Sequence, residues 1–391
     1  MTEIPLSAPD ITQAEIDAVT AVLRTNRLSL GPELEAFEQA MAAYHGVTDA
    51  VAVSSGTAGL HLAFLALGIG EACEVIVPSF TFVAVANAVL YVGATPVFVD
   101  IDPVTLNVDP ALVEQAVTPR TRAIVAVHTF GVAAEMDRIL EIARLHHLAV
   151  IEDACEAIGA EYADRKAGTF GDLAVFGFYP NKQITTGEGG CVLARDPHLA
   201  MRLRSLRNQG RPLAQKASGS GSEAISESNW FEHAEVGYNY RLSELACALG
   251  RVQLSRIDEI VSRRRTAAER YQELLGGIPS LELPPICLPR RSISWFVYVI
   301  RLKIGKGRSA FRDRIQQALA SNGIATARYF APIHLQPAWK SHPRTRGLLL
   351  PQTEEIASRT LALPFFNRIA SKQQEQVAEG LTAAMKRFQH F

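Results

Sequence analysis

The chain has 391 residues, 48% hydrophobic and 20% charged, close to soluble globular averages and unlike disordered, collagenous or coiled-coil chains. Thirty-nine basic against 40 acidic residues leave a net charge of -1, too little for a field that would draw the chain onto nucleic acid or an anionic membrane. The length points to two or three domains.

Thr12 to Leu28 reads as a helix, with Thr12 and Glu15 at capping-box spacing. Gly31-Pro32 opens a second helix, PELEAFEQAMAAYH, that Gly46 can end. Short apolar runs suited to buried strands follow at Ala50–Val53, Val75–Val77, Pro96–Val99, Ala123–Val127 and Ala149–Ile151. Helical segments lie between most of them, at Ala58–Leu67, Val83–Tyr91, Pro110–Val117 and Glu135–His147. This alternation predicts an α/β fold with a mostly parallel sheet covered on both faces. Two further strands, Leu173–Tyr179 and Cys191–Arg195, flank a glycine-rich turn.

Residues 214–228, AQKASGSGSEAISES, are small, polar and aperiodic, and predict a mobile loop over about 212–230. A long amphipathic helix is expected from Leu242 to Leu275. A proline cluster at 284–289 suggests a domain connection. Beyond it come a strand (Trp295–Leu302), a helix (Ala310–Ser321), another strand (Ala325–Phe330) and two C-terminal helices. The expected organisation is a large α/β domain over 1–275 and a smaller α+β domain over 276–391.

Cysteines at 73, 155, 191, 247 and 287 are odd in number and lack CxxC spacing, which argues against a disulfide framework or a zinc ribbon and for a reducing compartment. The N-terminal MTEIPLSAPDITQAEID is acidic and does not read as a signal peptide. No stretch reaches the ~20 apolar residues that span a bilayer. A cytoplasmic protein with no metal, membrane or nucleic-acid partner is expected.

In open α/β sheets ligands bind at the carboxyl ends of strands. After Ala50–Val53 comes Ser54-Ser55-Gly56-Thr57-Ala58-Gly59, where Gly56 permits close approach and a helix N-terminus offers free N–H groups to a phosphate. A turn with a threonine cap is the plainer alternative. After Val150-Ile151 come Glu152 and Asp153, whose side chains face opposite ways, so only one enters a site. Asp100 ends its strand in a similar setting and reads as a helix cap or a solvated charge. Lys182 follows a buried strand and precedes the run Thr185-Thr186-Gly187-Glu188-Gly189-Gly190; it is either a surface lysine or an amine able to form a Schiff base. Together a lysine for an aldehyde, a carboxylate for a pyridine nitrogen and an anion cradle match pyridoxal phosphate. Phe82 is positioned in sequence to stack on its ring.

The chain resembles the DegT/DnrJ/EryC1/StrS family of sugar aminotransferases, which have the fold-type-I pyridoxal phosphate architecture, and in particular its perosamine-synthase-like branch. The resemblance rests on SSGTAGLHLAFLALGIG (54–70), VIVPSFTFVAVANAVLYVGATPVFVDID (75–102), TPRTRAIVAVHTFG (118–131), VIEDACEAIGA (150–160), AGTFGDLAVFGFYPNKQITTGEGG (167–190), RNQGR (207–211) and GYNYRLSELACALG (237–250). It implies that Lys182 is the Schiff-base lysine and proton shuttle, and Asp153 the pyridinium partner. It further implies that Glu156 lies at the ring hydroxyl, Gly56 and Thr57 at the phosphate and Phe82 on the ring. Asn239 would reach the phosphate of the neighbouring subunit, which makes the unit a homodimer with shared active sites. His334, Tyr329 and Arg241 are candidates for binding substrate, with structural roles as alternatives.

The resemblance implies an amino-acid donor, glutamate first, and a nucleotide-linked keto-sugar acceptor, a 4-keto-6-deoxy sugar first, with pyridoxamine phosphate as the intermediate cofactor form. A 3-keto sugar or a keto-inositol is an alternative acceptor. A pyridoxamine-dependent dehydratase would carry histidine in place of Lys182, and a non-catalytic regulatory relative is a further alternative. Three departures stand out: Gly177 where many members have serine, Glu156 where many have glutamine, and the long 214–228 loop.

Overall fold

The computed structural model describes residues 3–211, 232–303 and 309–388. The expected mobile loop at about 212–230 falls outside the described residues. Helices α1 (Gln13–Leu23) and α2 (Pro32–His45) come first. Thr12 and Glu15 form the expected capping box, and Gly46 ends α2 with φ 67°. The N-terminus of α2 is held from far along the chain: Glu244 accepts N–H bonds from Gly31, Glu33 and Leu34 at 2.9–3.1 Å.

The alternating region folds as β1 (Asp49–Val53), α3 (Gly56–Ala66), β2 (Glu74–Pro78), α4 (Ala84–Tyr91), β3 (Thr95–Val99), α5 (Pro110–Gln115), β4 (Thr121–Val127), α6 (Met136–His146) and β5 (Ala149–Asp153). Two-residue strands β6 (Glu161–Tyr162) and β7 (Arg165–Lys166) precede β8 (Leu173–Gly177), β9 (Gly190–Ala194) and α7 (Pro197–Arg207). The main sheet has seven strands in the order β1-β9-β8-β5-β4-β2-β3. Only β9 runs against its neighbours. The expected α/β architecture is therefore observed.

Alternation of side chains along each strand divides the core between the two sheet faces. Val51, Val53, Val75, Val77, Val125 and Val127 pack with α3, α4 and α7. On the opposite face Ala50, Ala52 and Phe176 pack with α2, and Ile76, Ile124 and Ala126 pack with α6. Covering both faces leaves the strand ends as the open edge for a ligand.

The expected long helix is two: α8 (Glu244–Ser255) and α9 (Ile257–Leu275). At the break, Arg256 has φ -105° and ψ 8°. Its guanidinium donates to Asp10 at 3.2 Å and Glu15 at 2.8 Å, while Gln253 also donates to Glu15 at 2.8 Å. Charges at the start of α1 thus hold the break, a tertiary cause invisible to helical periodicity. The remaining strands are β10 (Leu281–Glu282), β11 (Arg291–Ser292), β12 (Tyr298–Leu302) and β13 (Thr360–Leu363). They build a sheet of order β10-β12-β13 and a small one of order β11-β6-β7. Helices α10 (Ser309–Ser321), α11 (Pro337–Lys340), α12 (Pro351–Arg359) and α13 (Ser371–Phe388) complete the described chain. Residues 325–330 form no strand; Ala327 makes only an isolated bridge with Ala362.

Burial by itself would raise the Glu15 pKa, but bonds from Thr12, Arg256 and Gln253 outweigh it and pull the value from 4.5 down to about 2. Its contribution to stability is therefore complete above pH 4.5 and is lost as the pH falls towards about 2. Glu15→Gln should lower stability near neutral pH, with the gap to the native protein closing as acid is added. Denaturant midpoints measured across that window check this; a gap that stays constant with pH would refute it.

Candidate active site

Six strands deliver their carboxyl ends to one edge of the main sheet, and β9 delivers its start there. A cavity of about 430 Å³ opens at this edge. Its wall includes Gly56, Thr57, Phe82, Asp153, Glu156, Lys182 and Tyr329. Seven of the ten residues singled out from the sequence are thus brought together.

The turn after β1 enters α3, where Ser55, rather than a threonine, is the cap: its hydroxyl accepts the Ala58 N–H at 3.0 Å. The first N–H groups of α3 have no partner within the helix ladder and carry its positive dipole end, which suits an anion. Glycine is needed behind this turn as well as in it. A Cβ at Gly190 would lie 2.6 Å from the Ser55 carbonyl and 2.8 Å from the Gly56 nitrogen. A Cβ at Gly56 would meet Cys155 Sγ at 2.9 Å.

At the end of β5 the two acids part as expected. Glu152 is fully buried and accepts N–H bonds from Gly168, Phe170 and Gly171, each at 2.7 Å, with His128 Nε2 at 2.8 Å. Burial would raise its pKa, and these partners hold it lower instead. Asp153 points to the cavity and accepts the Cys155 N–H at 3.1 Å. Asp100 accepts from the Gln352 and Thr353 N–H groups, both at 2.8 Å, and caps α12, in keeping with its reading as a cap.

Lys182 sits in a turn after β8, its N–H donating to the Tyr179 carbonyl at 2.9 Å. Its Nζ lies 3.5 Å from Glu156 Oε1 and 3.9 Å from the centre of the Phe296 ring. The other Glu156 oxygen accepts the Phe130 N–H at 2.9 Å. Burial raises the Glu156 pKa, opposed by the Lys182 charge. The Tyr329 hydroxyl accepts from Asn181 Nδ2 at 3.5 Å, and burial and the Glu156 charge raise its pKa. Phe82 is 62% exposed, so its ring is free to cover a ligand.

Three candidates do not line the cavity. His334 is buried, with Nδ1 2.7 Å from Ser79 Oγ and Nε2 3.2 Å from Glu354. Arg241 donates to Asn208 Oδ1 at 3.0 Å, and the exposed Asn239 bridges Asn208 through its backbone. Sequence reading missed Phe296, Asn181 and Glu188 on the wall. Glu188 lay within a glycine run already noted, whereas nothing in the local pattern marks Phe296. Gly177 faces Cys155: a Cβ there would be 3.2 Å from Sγ, so the thiol occupies much of the space a serine would need.

The arrangement offers an anion cradle, an amine, an acid and aromatic faces in one enclosure. Residues 9–382 match the sequence profile of the DegT/DnrJ/EryC1/StrS aminotransferase family. The chain is 42% identical over 338 residues to GDP-perosamine synthase of Caulobacter vibrioides, covering 86% of each. It is 37% identical over 386 residues to the spore coat polysaccharide biosynthesis protein SpsC of Bacillus subtilis, covering 98% of this chain and 97% of that one. It is also similar to the solved structure of the aminotransferase TlmJ from Streptoalloteichus hindustanus, with TM-score 0.89 and 33% identity over 99% and 100% of the two chains. The chain belongs to the DegT/DnrJ/EryC1/StrS aminotransferase family and depends on pyridoxal phosphate.

Because the Gly190 position backs the cradle, Gly190→Ala should push Ser55 and Gly56 out of place. Cofactor affinity should fall by about tenfold or more, equivalent to ~1.4 kcal/mol. Fluorescence titration of the cofactor-free protein measures this, and unchanged affinity would show that the cradle does not bind the cofactor.

Proposed function

We propose that this enzyme moves an amino group from glutamate to a nucleotide-linked 4-keto-6-deoxy sugar in amino-sugar biosynthesis. The observation that carries the reading is the joint presence of Lys182, Asp153 and the α3 N-terminus on one cavity wall, in a chain 42% identical to a GDP-perosamine synthase. When bound, pyridoxal phosphate supplies an aldehyde that combines with amines and a ring that accepts electrons as a substrate carbon loses its proton. The residues fit it: the turn at Gly56 and Thr57 receives the phosphate, where an added Cβ would crowd Cys155.

Each side chain then has a defined task. Asp153 holds a proton on the ring nitrogen. Phe82 covers a ring face. Glu156 would face the ring oxygen; burial raises its pKa, against the pull of the Lys182 charge, which lessens the repulsion between two acids placed side by side. Lys182 Nζ would hold the cofactor aldehyde and supply the amine that could carry a proton within the cavity. Tyr329 and Asn181 line the cavity and are candidates for sugar contact.

Charge supports a shared site in a homodimer. Among the described lining residues Lys182 is the sole cation, against Asp153, Glu156 and Glu188. A donor carboxylate and a nucleotide diphosphate need further positive groups. Asn239 and Arg241, which stand off their own cavity, are proposed to enter the partner's.

Lys182→Ala should leave the fold intact and abolish covalent attachment of the cofactor after borohydride reduction, read by mass spectrometry; attachment that persists would remove the lysine assignment. In assays with glutamate, nucleotide-linked 4-keto-6-deoxy sugars should be aminated in preference to 3-keto sugars or keto-inositols. Amination of keto-inositols alone would overturn the substrate class. Mixed dimers of Asn239→Ala and Lys182→Ala should regain one complete site, and activity no higher than the parents' would count against sharing.

A further inference from the structure

Arg264, on α9, heads the largest side chains that are fully buried, at 1% exposure. None of the ion pairs among the described residues includes it. The guanidinium spends its bonds on backbone oxygens. Nη1 donates to the carbonyls of Trp295 and Phe296, both at 3.0 Å, and Nη2 to the carbonyl of Lys182 at 3.3 Å. Its Cζ lies 5.5 Å from the centre of the Phe365 ring, and Nε has no partner among the described residues. Burial pushes its pKa from 12.5 down to about 9, with only the charge of Asp10 opposing. A buried cation without a counterion is costly, so stability alone does not account for it.

The three carbonyls belong to the segments that bracket the cavity amine. Phe296 is held at both ends of its backbone: its N–H donates to the Phe130 carbonyl at 3.3 Å, and its carbonyl accepts from Arg264. Phe130 also donates to Glu156, the other neighbour of the Lys182 amine. Lys182 is held likewise, by Tyr179 through its N–H and by Arg264 through its carbonyl. One guanidinium thus ties the lysine turn directly to the strand of chain that carries the ring beside its amine.

We propose that Arg264 is a positioning residue for the transamination, holding the Phe296 ring against the Lys182 amine so that Nζ enters the cavity in one direction. The planar fork suits this task, because it reaches several acceptors at fixed angles where an ammonium would reach fewer. The inference rests on the proposed role of Lys182.

The test uses Arg264→Met, Arg264→Lys, Phe296→Leu and the Arg264→Met/Phe296→Leu double variant, each full-length and checked for folding by circular dichroism. Stopped-flow absorbance follows covalent capture of pyridoxal phosphate by the cofactor-free protein, and steady-state assays give kcat and KM. Arg264→Met should slow capture and lower kcat by about 10- to 100-fold, with KM for the keto-sugar within about twofold. Arg264→Lys should recover only part of the loss. The double variant should be no slower than the worse single one, since both changes release the same ring. Native capture rates in Arg264→Met, or losses that multiply in the double variant, would overturn the proposal. If Arg264→Met does not fold, the same cycle run with Arg264→Lys decides in the same way. Capture that survives in Lys182→Ala would strike the lysine assignment instead, so the two failures are separable.

Discussion

The amine of Lys182 rests between a carboxyl and an aromatic face, and much of the architecture exists to keep those two partners where they are. A lysine at a cavity wall is otherwise free to swing into solvent, since its four-carbon stem is flexible. Here Glu156 Oε1 lies 3.5 Å from Nζ and the Phe296 ring centre 3.9 Å from it. Both are fastened to the backbone of Phe130. The contact with Glu156 is long for an ion pair, and burial raises the Glu156 pKa against the pull of the Lys182 charge. The amine is therefore oriented without being locked, a condition suited to a group that must attach, leave and carry protons.

The adjacent acids Glu152 and Asp153 show how one strand end serves two purposes. Alternation along β5 sends Glu152 away from the cavity into four polar contacts, including three N–H groups of the 168–171 turn. That buried carboxylate ties this turn to the strand end, and the next residue presents its acid to the cavity. The floor of the cradle is built with equal economy of space. Gly56, Cys155 and Gly177 meet so closely that added side-chain bulk at either glycine would press on the thiol. At position 177 a Cβ would lie 3.2 Å from the Cys155 thiol, so a larger side chain there would have to displace it.

Membership in the family accounts for the sheet, the cofactor and the reaction class. The electrostatics of the cavity add something of their own. Its described wall is acidic apart from Lys182 and the dipole of α3, which is ill-suited to polyanionic substrates unless cations arrive from a second chain. Exposed Asn239 and partly covered Arg241 lie away from the described wall of their own cavity, next to Asn208.

The main sheet, its helices, the turn at 54–59, the acid at 153 and the lysine at 182 were legible in the sequence. Their signals are local: period-2 and period-3.6 burial, caps, glycines and a residue at a strand's end. What the sequence left hidden comes from long-range contact. The break at Arg256 follows from Asp10 and Glu15, the two-residue strands of the small sheet carry no periodicity, and residues 325–330 remain irregular despite their strand-like composition. Phe296 and Arg264 are ordinary members of an apolar run and a basic run until the chain folds back on itself. Only that closure places Phe296 at the amine and Arg264 at the backbone of both segments, because which groups meet depends on packing between segments and not on their own neighbours in the chain.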